Sequence, residues 1–310
     1  MLSRVAESIF WMARYVERTN GMLRLVRTSY VSSQDEIVDF DWQYILRNYS
    51  NQPESTIKEL TSSNQVLAHL ILDKENSNSV INNITHAREN ARAVQDHITK
   101  EVWQCLNEFY HLVRSENAEY QVLRGDAMSI MDDLIKQGLL YHGIVDITMA
   151  RGEGSSFLSL GKYIERVNIS SDTLAIKLSE VEFNVNSPLE VPALRYLLYT
   201  LSGYELFLKT HRENLKPDLV FNQILYNPNF PHSLTYGLER MSRYLNRLKA
   251  DSLPEAFKSV EFLTGKLINH LKYTAVDIHD VNSLRVVLED VRRGLFEITD
   301  AFNQHYFGNS

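Results

Sequence analysis

The chain has 310 residues, and a globular chain of that size buries about three-quarters of its unfolded surface, so it needs no covalent staples to fold. A net charge of −7 argues against a nucleic-acid-binding face, which is normally basic. The single cysteine, Cys105, excludes an internal disulfide and any CxxC metal or redox pair, and no apolar run approaches the ~18 residues of a membrane span. The first residues meet Arg4 and Glu7 without an apolar core, so no secretory leader is expected and a cytoplasmic setting fits.

Glycine (12) and proline (7) are scarce, against usual shares of about 7% and 5%. Both residues punctuate helices, so their scarcity favours long ones. In chain order, Leu2, Val5, Ile9, Met12, Val16 and Leu23 form one apolar stripe at helical spacing. Helices are then expected over 37–48 and 64–73. The stripe Ile84, Ala87, Ala91, Val94, Ile98, Val102, Cys105, Phe109 and Leu112 predicts one long bundle helix over 84–112. Further helices are expected over 126–150, 155–182, 192–210, 218–226, 234–250, 255–274 and 281–303. Breaks fall at 48–53, 76–79, 184–188, 227–231 and 251–254, where turn residues cluster. Ser233 is suited to an N-cap and Pro254 to a first helical position. No period-2 strand and no linker interrupts the pattern, so the expectation is an all-α fold, a single multi-helix bundle-like domain over 1–310.

The segment 8–20, from Ser8 to Asn20, resembles the segment 156–168 at a constant offset of 148. Ala13-Arg14-Tyr15-Val16-Glu17-Arg18 matches Gly161-Lys162-Tyr163-Ile164-Glu165-Arg166. An internal duplication, with halves of roughly 1–148 and 149–310, is the sharper reading; convergence of two similar helices is the plainer one. Glu17, Glu89, Glu165 and Glu239 are spaced about evenly, so quarter-length units are conceivable, although Glu and Arg are common helix residues.

Opposite the first apolar stripe, Glu7, Phe10, Arg14, Glu17, Gly21 and Arg24 share a face, with alternating charge. Gly21 in mid-helix costs about 1 kcal/mol against alanine, which points to close approach by another group. Two seams on one helix imply contact on both sides, and buried carboxylates there need basic partners. The second copy retains Lys162 and Glu165 but has Asp172 in place of Arg24. A structural ion-pair network and a pocket for a charged ligand both remain open readings of the seam. The candidate residues are Glu7, Arg14, Glu17, Arg18, Arg24, Arg88, Glu89, Arg92, Arg151, Glu153, Lys162, Glu165 and Arg166. Convergence of their matched Glu/Arg pairs on one centre would suit a zwitterionic or peptide-like guest.

Other chemistry is thinly represented. Glu108 and His111 form one Glu-x-x-His, but a carboxylate-bridged metal pair needs two. Gly152-Glu153-Gly154 lacks the remaining residues of a phosphate loop. No Ser/His/Asp signature emerges from spacing. Cys105 lies on an apolar stripe, where a thiol should be inert. The aromatic segment 221–236 (Phe221, Tyr226, Phe230, Tyr236) reads as packed chain, and no cofactor is indicated.

The Tyr-x-Glu-Arg helices, the opening Met1-Leu2-Ser3-Arg4-Val5-Ala6-Glu7-Ser8, and Arg88-Glu89-Asn90-Ala91-Arg92-Ala93-Val94 resemble the bacterial Alpha-E family. So do Leu201-Ser202-Gly203-Tyr204-Glu205 and Asn227-Pro228-Asn229-Phe230-Pro231. The resemblance covers essentially the whole chain. It departs at Ser155, where the family has tryptophan, at Asn168, where it has an acidic residue, and at Asp172, where it has arginine. The resemblance implies an all-helical accessory protein of clusters that encode an ATP-grasp-type ligase and often a transglutaminase-like protease. A role in peptide synthesis or modification follows as an expectation, through a partner or a peptide-like substrate. An enzyme using Glu17 or Glu165 as general base is the alternative, and a purely structural helical protein is another.

Overall fold

A computed structural model describes residues 1–34, 41–180, 190–212, 215–249, 254–274, 276–277 and 279–308. Among the described residues the regular structure is helical, with no strand. The chain divides into two compact units. The first is Trp11–Ala150; the second combines Met1–Phe10 with Arg151–Ser310.

The first unit contains most of α1 (Ser3–Ser32), then α2 (Gln43–Tyr49), α3 (Glu54–Glu59), α4 (Ser63–Ile71), α5 (Val80–Ala93), α6 (Lys100–Val113), α7 (Glu116–Arg124) and α8 (Ala127–Thr148). Here α6 packs on α5 and on α8, and α7 bridges α4 and α8. The stripe over 84–112 is not one helix. A 3₁₀ turn over Gln95–His97 and an extended Ile98 separate α5 from α6. The Thr99 hydroxyl then caps α6 by accepting from the Val102 N–H, a cap of the kind that contributes about 1 kcal/mol. Periodicity misses the break because both arms of the hairpin bury the same stripe: Ala87, Ala91, Val102, Cys105 and Phe109 are all buried. Helices α3 and α7 are additional to the expected ones. Helix α7 starts at Ser115, whose hydroxyl accepts from the Ala118 N–H. The expected helix over 37–48 begins at Gln43; its residues 37–40 lie outside the described residues, as do the expected breaks over 184–188 and 251–253.

The second unit contains α9 (Glu153–Glu180), α10 (Glu190–Thr200), α11 (Tyr204–His211), α12 (Pro217–Tyr226), α13 (Leu234–Arg247), α14 (Pro254–Tyr273) and α15 (Val281–Phe302), followed by a π-helical turn, Asn303–Phe307. Helix α9 is its centre, packed against α10, α13 and α15. Ser233 caps α13 by accepting from the Tyr236 N–H, and α14 starts at Pro254. The helix expected over 192–210 is two. At the break Ser202 has φ 55°, and the Gly203 N–H reaches back to the Leu198 carbonyl at 2.8 Å, a helix-ending bond of Schellman type. A Cβ on Gly203 would lie 2.7 Å from the Phe230 ring, and the Gln223 amide donates to the Gly203 carbonyl at 2.9 Å. Two of the motifs quoted above, Leu201–Glu205 and Asn227–Pro231, therefore pack on each other, and the aromatic segment 221–236 buries Phe221 and Phe230.

The opening turns of α1 complete this unit. Phe10 stacks among Phe302 and Phe307, with ring centroids 5.3 Å away in each case, and Phe157 joins Phe307 at 6.1 Å. A Cβ on Gly161 of α9 would lie 2.2 Å from the Phe10 carbonyl oxygen, so only glycine lets these two backbones touch. Gly161→Ala is expected to destabilise the protein by about 1–3 kcal/mol through overpacking against backbone. Gly265→Ala, in the open middle of α14 with nothing within 4 Å, should stabilise it by about 0.4–1 kcal/mol. Urea melts of the two variants check the pair, and equal midpoints would remove the close-approach account.

Candidate functional site

At about 100° per residue, the Tyr and Arg of Tyr-x-Glu-Arg fall on one side of a helix and the Glu nearly opposite the Tyr. Both copies show this arrangement. The Arg18 guanidinium lies 5.7 Å from the Tyr15 ring centre and that of Arg166 5.5 Å from Tyr163, within cation–π reach. Glu17 and Glu165 are 4% and 1% exposed. The motif thus sends a carboxylate inward while its flank carries an aromatic–guanidinium pair.

In the first unit α1 and α8 run antiparallel. Glu17 and Asn20 meet His142, and about two to three turns further along α1, Arg27 meets Asp132. The Glu17 Oε2 lies 2.9 Å from His142 Nε2, and the Asn20 amide nitrogen lies 3.3 Å from the same ring nitrogen. One nitrogen cannot donate to a carboxylate and accept from an amide at once. With Nε2–H donating to Glu17, the Asn20 amide is satisfied when turned to present its oxygen, the kind of choice that a hydrogen-bond network decides. As placed, that oxygen is buried without a hydrogen bond. Gly138 makes the room, since a Cβ there would overlap the Asn20 amide. Tyr141, on the same helix, is wholly buried, and its phenol is pushed far up, first by burial and then by the Cys105 and Glu17 charges. Burial likewise pushes the Cys105 thiol up to about 11. The sequence reading missed His142 and Asn20 as partners of Glu17; the signal was Gly138, a mid-helix glycine one turn before His142.

Arg88, Glu89 and Arg92 come together on α5. The Arg88 guanidinium meets Glu89 at 2.9 Å, donates to Asn107 at 2.8 Å and lies over the Tyr110 and Trp103 rings at 4.5 and 5.4 Å. It thereby ties α5 to α6. Arg92 reaches Glu89 only at 3.7 Å and is 66% exposed. Arg14 is buried with its guanidinium over Trp11 at 4.6 Å, while Glu7, Arg18 and Arg24 are half-buried.

In the second unit Tyr163 stacks on Tyr244 (5.9 Å, 18°) and meets Tyr236 edge-on at 6.1 Å. Burial, then the Tyr236 phenol, raise the Tyr163 pKa against an opposing effect of Arg166. Lys162, Arg240 and Arg247 each lie about one ring width from a tyrosine face, at 4.8, 4.7 and 5.0 Å. Asn168 donates to Asp172 at 3.0 Å, one turn along α9. Glu153, the first residue of α9, accepts from the Met1 ammonium at 2.6 Å, and Arg151 is exposed. Among the described residues no three His, Cys, Asp or Glu side chains gather as a metal would require; Glu108 instead accepts from Gln104 at 2.9 Å.

Removing a carboxylate from a buried polar pair strands its partner, so Glu17→Ala should cost about 3–5 kcal/mol. Arg92→Ala should cost under about 1 kcal/mol, because its pair is exposed. Chemical melts distinguish these, and a Glu17→Ala midpoint near wild type would mean the cluster carries no stability. The thiol gives a pH test. Its folded pKa of about 11 lies above its ordinary 9.0, so the neutral form is the one folding favours. That contribution is whole below pH 9 and fades as pH rises through 11. Disulfide-exchange labelling of Cys105 at pH 8 should be slow in the native protein and fast in urea; fast native labelling would contradict its burial.

No curated protein and no solved structure matches the chain. A family model described as a predicted alpha-helical domain with a conserved ER motif, Alpha-E, matches residues 1–307. The chain carries Glu-Arg at Glu17-Arg18, Glu165-Arg166 and Glu239-Arg240, and with the match spanning both units the chain belongs to the Alpha-E family.

Proposed function

We propose that the chain is an interaction module whose motif helices present aromatic–guanidinium faces to a peptide-bearing partner, with their glutamates serving as internal anchors. The observation that carries this is the burial of both motif glutamates, Glu17 and Glu165. A general base must come within hydrogen-bond reach of a substrate proton, and a carboxylate closed in by helices is poorly placed for that. The arginine side of the motif, half-buried at Arg18 and Arg166, is the part a partner can reach. In the second unit Tyr236, Tyr244, Arg240 and Arg247 lie along one side of α13, and tyrosine and arginine are the residue types that dominate protein recognition. Neither Arg240 nor Arg247 has an acidic partner among the described residues, so an anionic, peptide-like segment would complement them. The Alpha-E resemblance supplies the candidate partner, an ATP-grasp-type ligase; a transglutaminase-like protease is the second candidate.

Purified chain should retain the ligase of its own gene neighbourhood in a pull-down. Arg247→Glu with Arg240→Glu should weaken that capture by about tenfold or more, equivalent to about 1.4 kcal/mol, without moving the melting midpoint. Glu17→Gln and Glu165→Gln should affect stability before capture. The reading is overturned if the chain alone converts a peptide or amino-acid substrate and Glu165→Gln abolishes that conversion while folding normally, which would make the glutamate a catalytic base.

A further inference from the structure

Away from the motif helices, three side chains of the first unit form a hydrogen-bonded chain that spacing alone did not disclose. Ser50 Oγ lies 2.8 Å from His69 Nε2, and His69 Nδ1 lies 2.8 Å from Asp73 Oδ2. The carboxylate selects the tautomer: with Nδ1–H donating to Asp73, Nε2 presents its lone pair to the Ser50 hydroxyl. Nucleophile, base and orienting acid are thus within reach in the required order. Each member is held by its surroundings. The Glu75 N–H donates to the other Asp73 oxygen at 2.9 Å. The fully buried Asn76 amide donates to the Tyr49 and His69 carbonyls at 3.1 and 3.3 Å, fixing the residue before the nucleophile and the residue that carries the base. His69 is buried, whereas Ser50 is half-buried and flanked by exposed Asn51 and Pro53. Ser50 is thus partly open to solvent while its base is not.

We infer that Ser50, His69 and Asp73 form an acyl-transfer centre that hydrolyses short, unhindered acyl esters approaching from solvent. Ser50 Oγ attacks the acyl carbon and its proton passes to His69 Nε2. The ester C–O bond breaks, and the departing alcohol takes that proton, leaving acyl-Ser50. Water then attacks the acyl carbon, its proton passes to Nε2, and Oγ departs with that proton, so that one ester and one water become an acid and an alcohol. The Gln52 N–H donates to Ser50 Oγ at 3.1 Å and helps hold the hydroxyl in place against His69. His69 acts as the base, and Asp73 is a positioning residue that never touches substrate. The centre is independent of the partner-binding face and of the motif glutamates.

The test is treatment of the full-length chain with a fluorophosphonate probe and with p-nitrophenyl acetate, read by intact mass, peptide mapping and nitrophenol release. A single adduct at Ser50 and turnover above buffer are expected. Both should vanish in Ser50→Ala and fall by about 100-fold in His69→Gln, the scale of general-base loss. Asp73→Asn should slow labelling at an unchanged melting midpoint, and Asp73→Glu should recover part of the rate, which a merely structural contact would not do. If Ser50→Ala fails to fold, Ser50→Cys with iodoacetamide serves in its place, with His69-dependent alkylation expected. Folded wild-type chain that takes no adduct at Ser50, or labels there at a rate indifferent to His69→Gln, overturns the proposal and leaves the three residues as a clamp between α2 and α4.

Discussion

A carboxylate buried in a helix bundle has to be matched by a hydrogen-bond donor or cation, and that requirement organises much of the first unit. Glu17 is only 4% exposed. Leaving such a group unpaired would cost several kcal/mol. His142 answers the charge, Asn20 completes the polar contacts, and Gly138 gives up its side chain so that Asn20 fits. The register of α8 against α1 follows, because a slip of one residue would carry His142 away from Glu17 and set a side chain against the Asn20 amide. Arg27 and Asp132 repeat the same register further along.

The flanks of the motif obey a different physics. A guanidinium over a tyrosine face keeps part of its hydration and still gains from the ring quadrupole, so Arg18 and Arg166 need no deep burial to be ordered. Arg88 extends the device across two helices by covering both Tyr110 and Trp103 while bonding Glu89 and Asn107. Arginine suits this place better than lysine because its planar fork stacks and donates sideways at once. The recurring Glu-Arg pair therefore joins one group that stabilises the inside to one that shapes the outside.

Several sequence motifs turn out to be packing devices. Gly203 and Phe230 come from motifs that the sequence separates widely, yet the ring sits where a Cβ would be. Asn168 and Asp172 are likewise an i,i+4 hydrogen-bonded pair on α9.

The helical class and most helix positions were legible in the sequence, because the 3.6-residue period and the scarcity of breakers are local properties; the seam of Glu17 and Glu165 read equally as a buried network or a ligand pocket, and only the tertiary packing buries both glutamates. Local pattern also identified the Ser233 cap. What periodicity could not supply was where a helix folds back. The stripe over 84–112 reads the same for a straight helix and for the α5–α6 hairpin, since both bury the same face, and only the tertiary contact of the two arms makes the Thr99 cap worthwhile. The break at Leu201–Gly203 likewise depends on Phe230, a long-range neighbour. The same limit hid His142 from Glu17 and separated Ser50 from His69 and Asp73. Hydrogen-bond partners far apart in the chain share no spacing rule, and the packing of α8 on α1 and of α4 beside α2 is what brings them within 3 Å.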